Sequence, residues 1–88
     1  MNKIKRRMLK EITKKLQNLE ELKDEILGDL QQVIDDEQES YDNLPESIRD
    51  SEHGEQMQEY LDTLNDVLSE IESIGYDAAQ WADTLSEI

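Results

Sequence analysis

Cysteine and phenylalanine are absent from this 88-residue chain, proline, tryptophan and histidine occur once each, and there are three glycines. The absence of cysteine excludes a disulfide framework, a thiolate nucleophile and a Cys-based zinc site. So few aromatics and breakers are poor material for a sheet or a thick globular core, and good material for helices. No long apolar run occurs: Leu9, Ile12 and Leu16 are separated by charges. The basic start, Met1 to Arg7, therefore lacks the apolar stretch that would make it a signal peptide, and nothing approaches membrane-spanning length. A soluble cytoplasmic protein is expected, with no membrane partner. His53 has no second histidine or cysteine with which to build a catalytic pair, so no enzyme activity is expected. Asp50 and His53 lie three apart, but EF-hand spacing is missing, and a di-iron bundle needs two Glu-x-x-His motifs. No metal or cofactor is expected.

Basic residues are also scarce after position 15. Seven of the nine lie before it: Lys3, Lys5, Arg6, Arg7, Lys10, Lys14 and Lys15. With Glu11 as the one acid among them, residues 1–15 carry a net +6. Residues 16–88 hold 22 acids against Lys23 and Arg49, a net −20. Charge is thus sorted into a short positive head and a long negative body.

Apolar residues recur at helical spacing. Ile4, Met8, Ile12, Leu16, Leu19, Leu22, Ile26, Leu30 and Val33 are set at steps of three and four, and Leu9, Leu27 and Ile34 widen the stripe. This predicts a first helix over about 3–39. The hinge, 40–51, gathers turn and cap formers. Asn43 followed by Glu46 reads as a capping-box variant, with Pro45 early in a short turn of helix. Ser51 reads as the N-cap of a second long helix, with Glu52 and Glu55 suited to a helix N-terminus. In that second segment Leu61, Leu64, Leu68, Ile71, Gly75, Ala78, Ala82 and Leu85 alternate steps of four and three. Tyr60, Val67, Ile74, Trp81 and Ile88 recur every seven residues beside them. These are a, d and g positions of a heptad repeat, and they predict one helix over about 52–88. A break at Gly75, with Asp77 starting a new helix, is the alternative.

Two arms of equal length around one hinge read as a single all-α domain: a long, coiled-coil-like antiparallel helical hairpin. Helix ends at 39 and 52 would set Leu16 across from Gly75 and Lys14 across from Asp77. Arg6, Arg7 and Lys10 would then lie near Trp81, Asp83 and Glu87. That arrangement neutralises the head within the hairpin and packs Trp81 beneath a cation. Contact of the head with nucleic acid, an anionic membrane or another protein is the alternative. A two-helix hairpin buries little surface. The wide stripes predict a homodimer forming a four-helix bundle, with Leu61, Leu64, Leu68, Ile71, Gly75, Ala78 and Trp81 mediating self-association.

The segment Asp42-Asn43-Leu44-Pro45-Glu46-Ser47, then Ser51-Glu52 and Gly54-Glu55, resembles the hinge of a family of small acidic helical proteins. These occur in phages and integrated mobile elements of Gram-positive bacteria and their relatives. The similarity extends weakly along both arms. It implies a phage-type setting and an accessory role, and it transfers no catalytic residue.

Two functions are then expected to compete. In the first, the protein binds another protein, most concretely a nucleic-acid-binding host defence nuclease complex, and inhibits it by nucleic-acid mimicry. A cleft built to neutralise phosphates attracts any rod of similar charge density. The partner-binding residues would be Asp35, Asp36, Glu37, Glu39, Asp42 and Glu46 around the hinge, with Glu59, Asp62, Asp66 and Glu70 on the second helix. In the second, the hairpin is a structural or assembly module docking a phage protein through Leu44, Ile48 and the apolar stripe. Direct nucleic-acid binding is not expected, because the −20 body repels phosphate.

Overall fold

The computed structural model describes residues 1–88 as three helices: α1 over Lys3–Asp42, α2 over Glu46–Arg49 and α3 over Glu52–Ser86. α1 and α3 run antiparallel along each other, and α2 packs on α3. The molecule is an elongated helical hairpin with extents of 68 × 15 × 14 Å.

Local chemistry explains the boundaries. Asn2 is extended, and its Oδ1 accepts the Lys5 N–H at 2.9 Å, which caps α1. α1 continues past residue 39 because nothing disfavours helix until Pro45, which lacks an N–H and pushes Leu44 out of the helical region. Asn43 accordingly closes α1, with its N–H on the Glu39 carbonyl at 3.0 Å, and does not cap α2. The carbonyl of Pro45 receives the N–H groups of Ile48 and Arg49 instead. Ser51 has the extended backbone of an N-cap, φ −85° and ψ 172°, yet its hydroxyl donates backwards to the Ile48 carbonyl. α3 runs through Gly75 without interruption.

The least exposed residues of α1 are spaced at steps of four and three: Leu9, Thr13, Leu16, Glu20, Lys23, Leu27, Leu30, Ile34, Glu37 and Tyr41. The facing series on α3 is Gly54, Met57, Leu61, Leu64, Leu68, Ile71, Gly75, Ala78, Ala82 and Leu85. These are the a and d positions of a two-stranded seam. Leu61 is 2 % exposed, and the other buried apolar residues are Ile34, Met57, Ala78 and Ala82. The core is therefore one thin line, with buried residues both near the hinge and toward the other end.

Two glycines set how closely the elements approach. A Cβ at Gly75 would run into the aliphatic stem of Lys23, and one at Gly54 into the backbone of Arg49. Lys23 thus lies along a notch in α3, its stem covered and its ammonium reaching outward to Asp24 at 2.6 Å.

This contact fixes a register one heptad away from the expected one: Lys23, not Leu16, faces Gly75. The cause lies at the hinge. α1 is longer than expected, and α2 folds against the first turn of α3, so pairing begins with Tyr41 near Met57. As a result Lys14 and Asp77 are not level, and Trp81 does not lie beneath Arg6, Arg7 and Lys10. At the other end Leu9 and Lys10 line a groove with Leu85 and Ile88, so the first turn of α1 extends beyond the end of α3.

Candidate interaction surfaces

An antiparallel helix pair has a dyad between its members, so g positions flank one side of the seam and e positions the other. On α1 the g positions away from the hinge are Ile12, Leu19, Ile26 and Val33, and on α3 they are Tyr60, Val67, Ile74, Trp81 and Ile88. All nine are apolar or aromatic, and all are between 41 and 60 % exposed. Nearest the hinge the series ends in the polar Ser40 and His53. The e side holds Lys10, Gln17, Asp24, Gln31 and Gln38 on α1, and Gln58, Asn65, Glu72, Ala79 and Ser86 on α3. Asp24 and Glu72 both act on Lys23, as the same-side rule requires. The hairpin thus has one apolar face and one polar face. Met8 and Leu22 lie beside the α1 column and are also exposed.

The sequence stripe on α1 therefore divides in two. Leu9, Leu16, Leu27, Leu30 and Ile34 meet α3, whereas Ile4, Met8, Ile12, Leu19, Leu22, Ile26 and Val33 face outward. Of the residues expected to mediate self-association, Leu61, Gly75 and Ala78 are buried within the chain. Leu64, Leu68 and Ile71 are half-buried there, and Trp81 is exposed. The outward columns are the surface that an a/d reading alone passes over. The seven-residue spacing on α3 pointed to them.

The basic head is not neutralised within the chain. The ion pair of the structure is Lys23 with Asp24, and none of the head cations has a carboxylate partner. Lys3, Arg6, Arg7, Lys10 and Lys14 line the groove at the open end instead. The register explains this, because the acids expected beside the head lie further along the rod. Charge also opposes the α1 dipole at both ends. No acid occupies its first turn and no base its last, where Glu39 and Asp42 sit. Each such mismatch costs about 0.3–1 kcal/mol when exposed.

Of the ten carboxylates expected to contact a partner, Asp35, Asp36, Glu39, Asp42, Glu46, Glu59, Asp62, Asp66 and Glu70 are exposed, and Glu37 is half-buried. None is in an ion pair. Three are held by amides one turn earlier: Gln31 donates to Asp35 at 2.9 Å, Gln32 to Asp36 at 3.2 Å and Gln38 to Asp42 at 3.0 Å. No group of three or more carboxylate or imidazole side chains is placed to hold a metal ion. No helix is long and apolar enough to cross a membrane.

Lys23 is the titratable group with a displaced pKa, raised by its hydrogen bond to Asp24 against an opposing effect of burial, with Glu20 and Glu72 adding to the rise. It stays protonated and acts as a fixed charge within the seam.

The fold and surfaces define a helical hairpin with an unpaired cationic end, a carboxylate-rich body and one uncovered apolar face. Comparison with protein-family models, with curated proteins and with solved structures finds no match.

Proposed function

We propose that this protein acts by binding rather than by catalysis, as a small accessory protein of a phage or mobile element. Its acidic body occupies the nucleic-acid site of a host defence nuclease complex. The observation that carries this reading is that the partner-facing carboxylates carry no internal cation. Unpaired charges in water keep their full reach toward a cationic cleft, whereas paired ones largely cancel.

Two hairpins pair in this reading into a four-helix bundle. One hairpin buries only five apolar residues, which is little for 88. Pairing also raises the charge density. Each chain brings a net −14 to a rod 68 Å long. Two side by side carry one net negative charge about every 2.4 Å, against roughly one per 1.7 Å along duplex DNA.

The test is capture of the partner complex on the tagged protein at low and moderate salt, followed by competition with duplex DNA or RNA. The reading expects binding that weakens steeply with salt and is displaced by nucleic acid. A captured complex that still binds nucleic acid normally with this protein saturating would refute mimicry. Binding that is insensitive to salt, and lost on changing Leu44 or Ile48, would identify an assembly module instead.

A further inference from the structure

We infer that the apolar face is covered by a second copy of this chain packed head to tail, the basic head of each hairpin lying beside the acidic hinge of the other. The inference rests on the bundle proposed above and adds its interface, its orientation and the residues that select it.

Area is the first argument. From the fractional exposures of the two outward columns, the face offers on the order of 900 Å² per chain, close to the roughly 800 Å² per partner of a stable interface. It exceeds the apolar patch that a soluble monomer ordinarily leaves in water.

Symmetry is the second. The α1 column, Ile12 to Val33, is centred between residues 22 and 23. The α3 column, Tyr60 to Ile88, is centred on Ile74. The seating of Lys23 against Gly75 puts those two centres within about 2 Å of the same height on the rod. A dyad crossing the rod there pairs every column residue with another. Ile12 meets the partner's Val33, Leu19 the partner's Ile26 and Leu22 the partner's Leu22. On the other helix Val67 meets the partner's Trp81, and Ile74 meets its own copy.

The apolar columns alone also allow the opposite dyad, along the rod, which places the two heads together. Charge decides between them. Head to tail, each +6 head lies beside the partner's residues 35–55, which carry nine carboxylates against Arg49, a net −8. The carboxylates left free for a cationic cleft are then those of α3 outside that segment, Glu59, Asp62 and Asp66. Lys15 falls level with the partner's Asp29. Head to head, like ends meet, Leu22 faces the partner's Asp77 and Asp29 faces the partner's Glu70. Head to tail has one adverse contact of its own, Glu70 near the partner's Asp77. The balance favours it clearly, since complementary charges at flanking positions set helix orientation and like charges oppose it. The same arrangement supplies what the isolated hairpin lacks: carboxylates beside a basic helix start, and cations beside an acidic helix end.

The test uses the full chain with Asn2→Cys as its single thiol, spin-labelled for pulsed dipolar distance measurement, with mass from light scattering. A mass of two chains with labels about 60 Å apart is the expected result, that being the rise over roughly forty helical residues. A mass of two chains with labels within about 20 Å would overturn the orientation and leave the bundle intact. A mass of one chain would overturn both and assign the face to a different protein. As a second measurement, Lys15→Glu weakens dimerisation about tenfold, since two like-charge pairs replace two complementary ones. Lys15→Glu with Asp29→Lys restores it. A double variant as weak as the single one would overturn the Lys15–Asp29 pairing.

Discussion

The seam between the helices and the column beside it make an instructive pair. The seam is where the chain folds on itself, yet on α1 it includes Thr13, Glu20, Lys23 and Glu37, and on α3 Gly75, Ala78 and Ala82. The outward column beside it is apolar from Ile12 to Val33 and from Tyr60 to Ile88, with Ser40 and His53 as its polar members at the hinge, and remains about half exposed. A hairpin selected only to close on itself would place its bulkiest apolar side chains inward, because burial stabilises in proportion to apolar area. Here small residues serve the close internal contact, while Trp81, Tyr60, Ile74 and Ile88 are held outside. On the reading proposed above, the outward column serves an interaction beyond the chain.

Breaking the seam should have the largest effect on folding. Leu61→Ala truncates the largest fully buried side chain and is expected to destabilise by about 2–4 kcal/mol, read by chemical denaturation at fixed concentration. Ile74→Ala at the same protein concentration should act mainly on association, which separates the two regions. Next is Gly54→Ala. The new methyl would meet the Arg49 backbone, which cannot swing aside, and a loss of about 1–3 kcal/mol is expected despite the better helix propensity. Smaller and opposite in sign is Gly28→Ala. Nothing lies near that position, so alanine should stabilise by about 0.5–1 kcal/mol in a thermal melt. Smallest is the pH effect of Lys23. Its raised pKa means that its contribution is fully present below the ordinary lysine value of 10.5 and is lost only as pH climbs through the higher folded value. The stability difference between wild type and Lys23→Met should therefore be constant from about pH 6 to 9.

Much of this hairpin can be read from sequence, and the unreadable parts have physical causes. α3 is transparent because its a, d and g series stay in phase for the whole helix. α1 is not, because its two apolar columns interleave and its seam is interrupted by Glu20, Lys23 and Glu37. The more continuous outer column, Ile12, Leu19, Ile26 and Val33, reads as the core when α3 is out of view. The register was hidden for a different reason. It depends on how many residues the hinge consumes, and that is decided by α2 docking through Gly54, a contact no periodicity reports. Once the register moves by one heptad, the head loses its expected carboxylates and Trp81 its expected cations. The carboxylates around the hinge and along α3 were legible as charge, and they lack partners because residues 16–88 hold only Lys23 and Arg49 as cations.

The central claim is that the outward column belongs to an interface and the seam to the fold. Its most direct test is the solution mass of wild type and of Ile26→Asp/Ile74→Asp, measured by light scattering at micromolar concentration with helicity followed by circular dichroism. Two aspartates in the column should convert a particle of two 10.3 kDa chains into a single helical chain. Wild type that is already one fully helical chain under those conditions would contradict the claim.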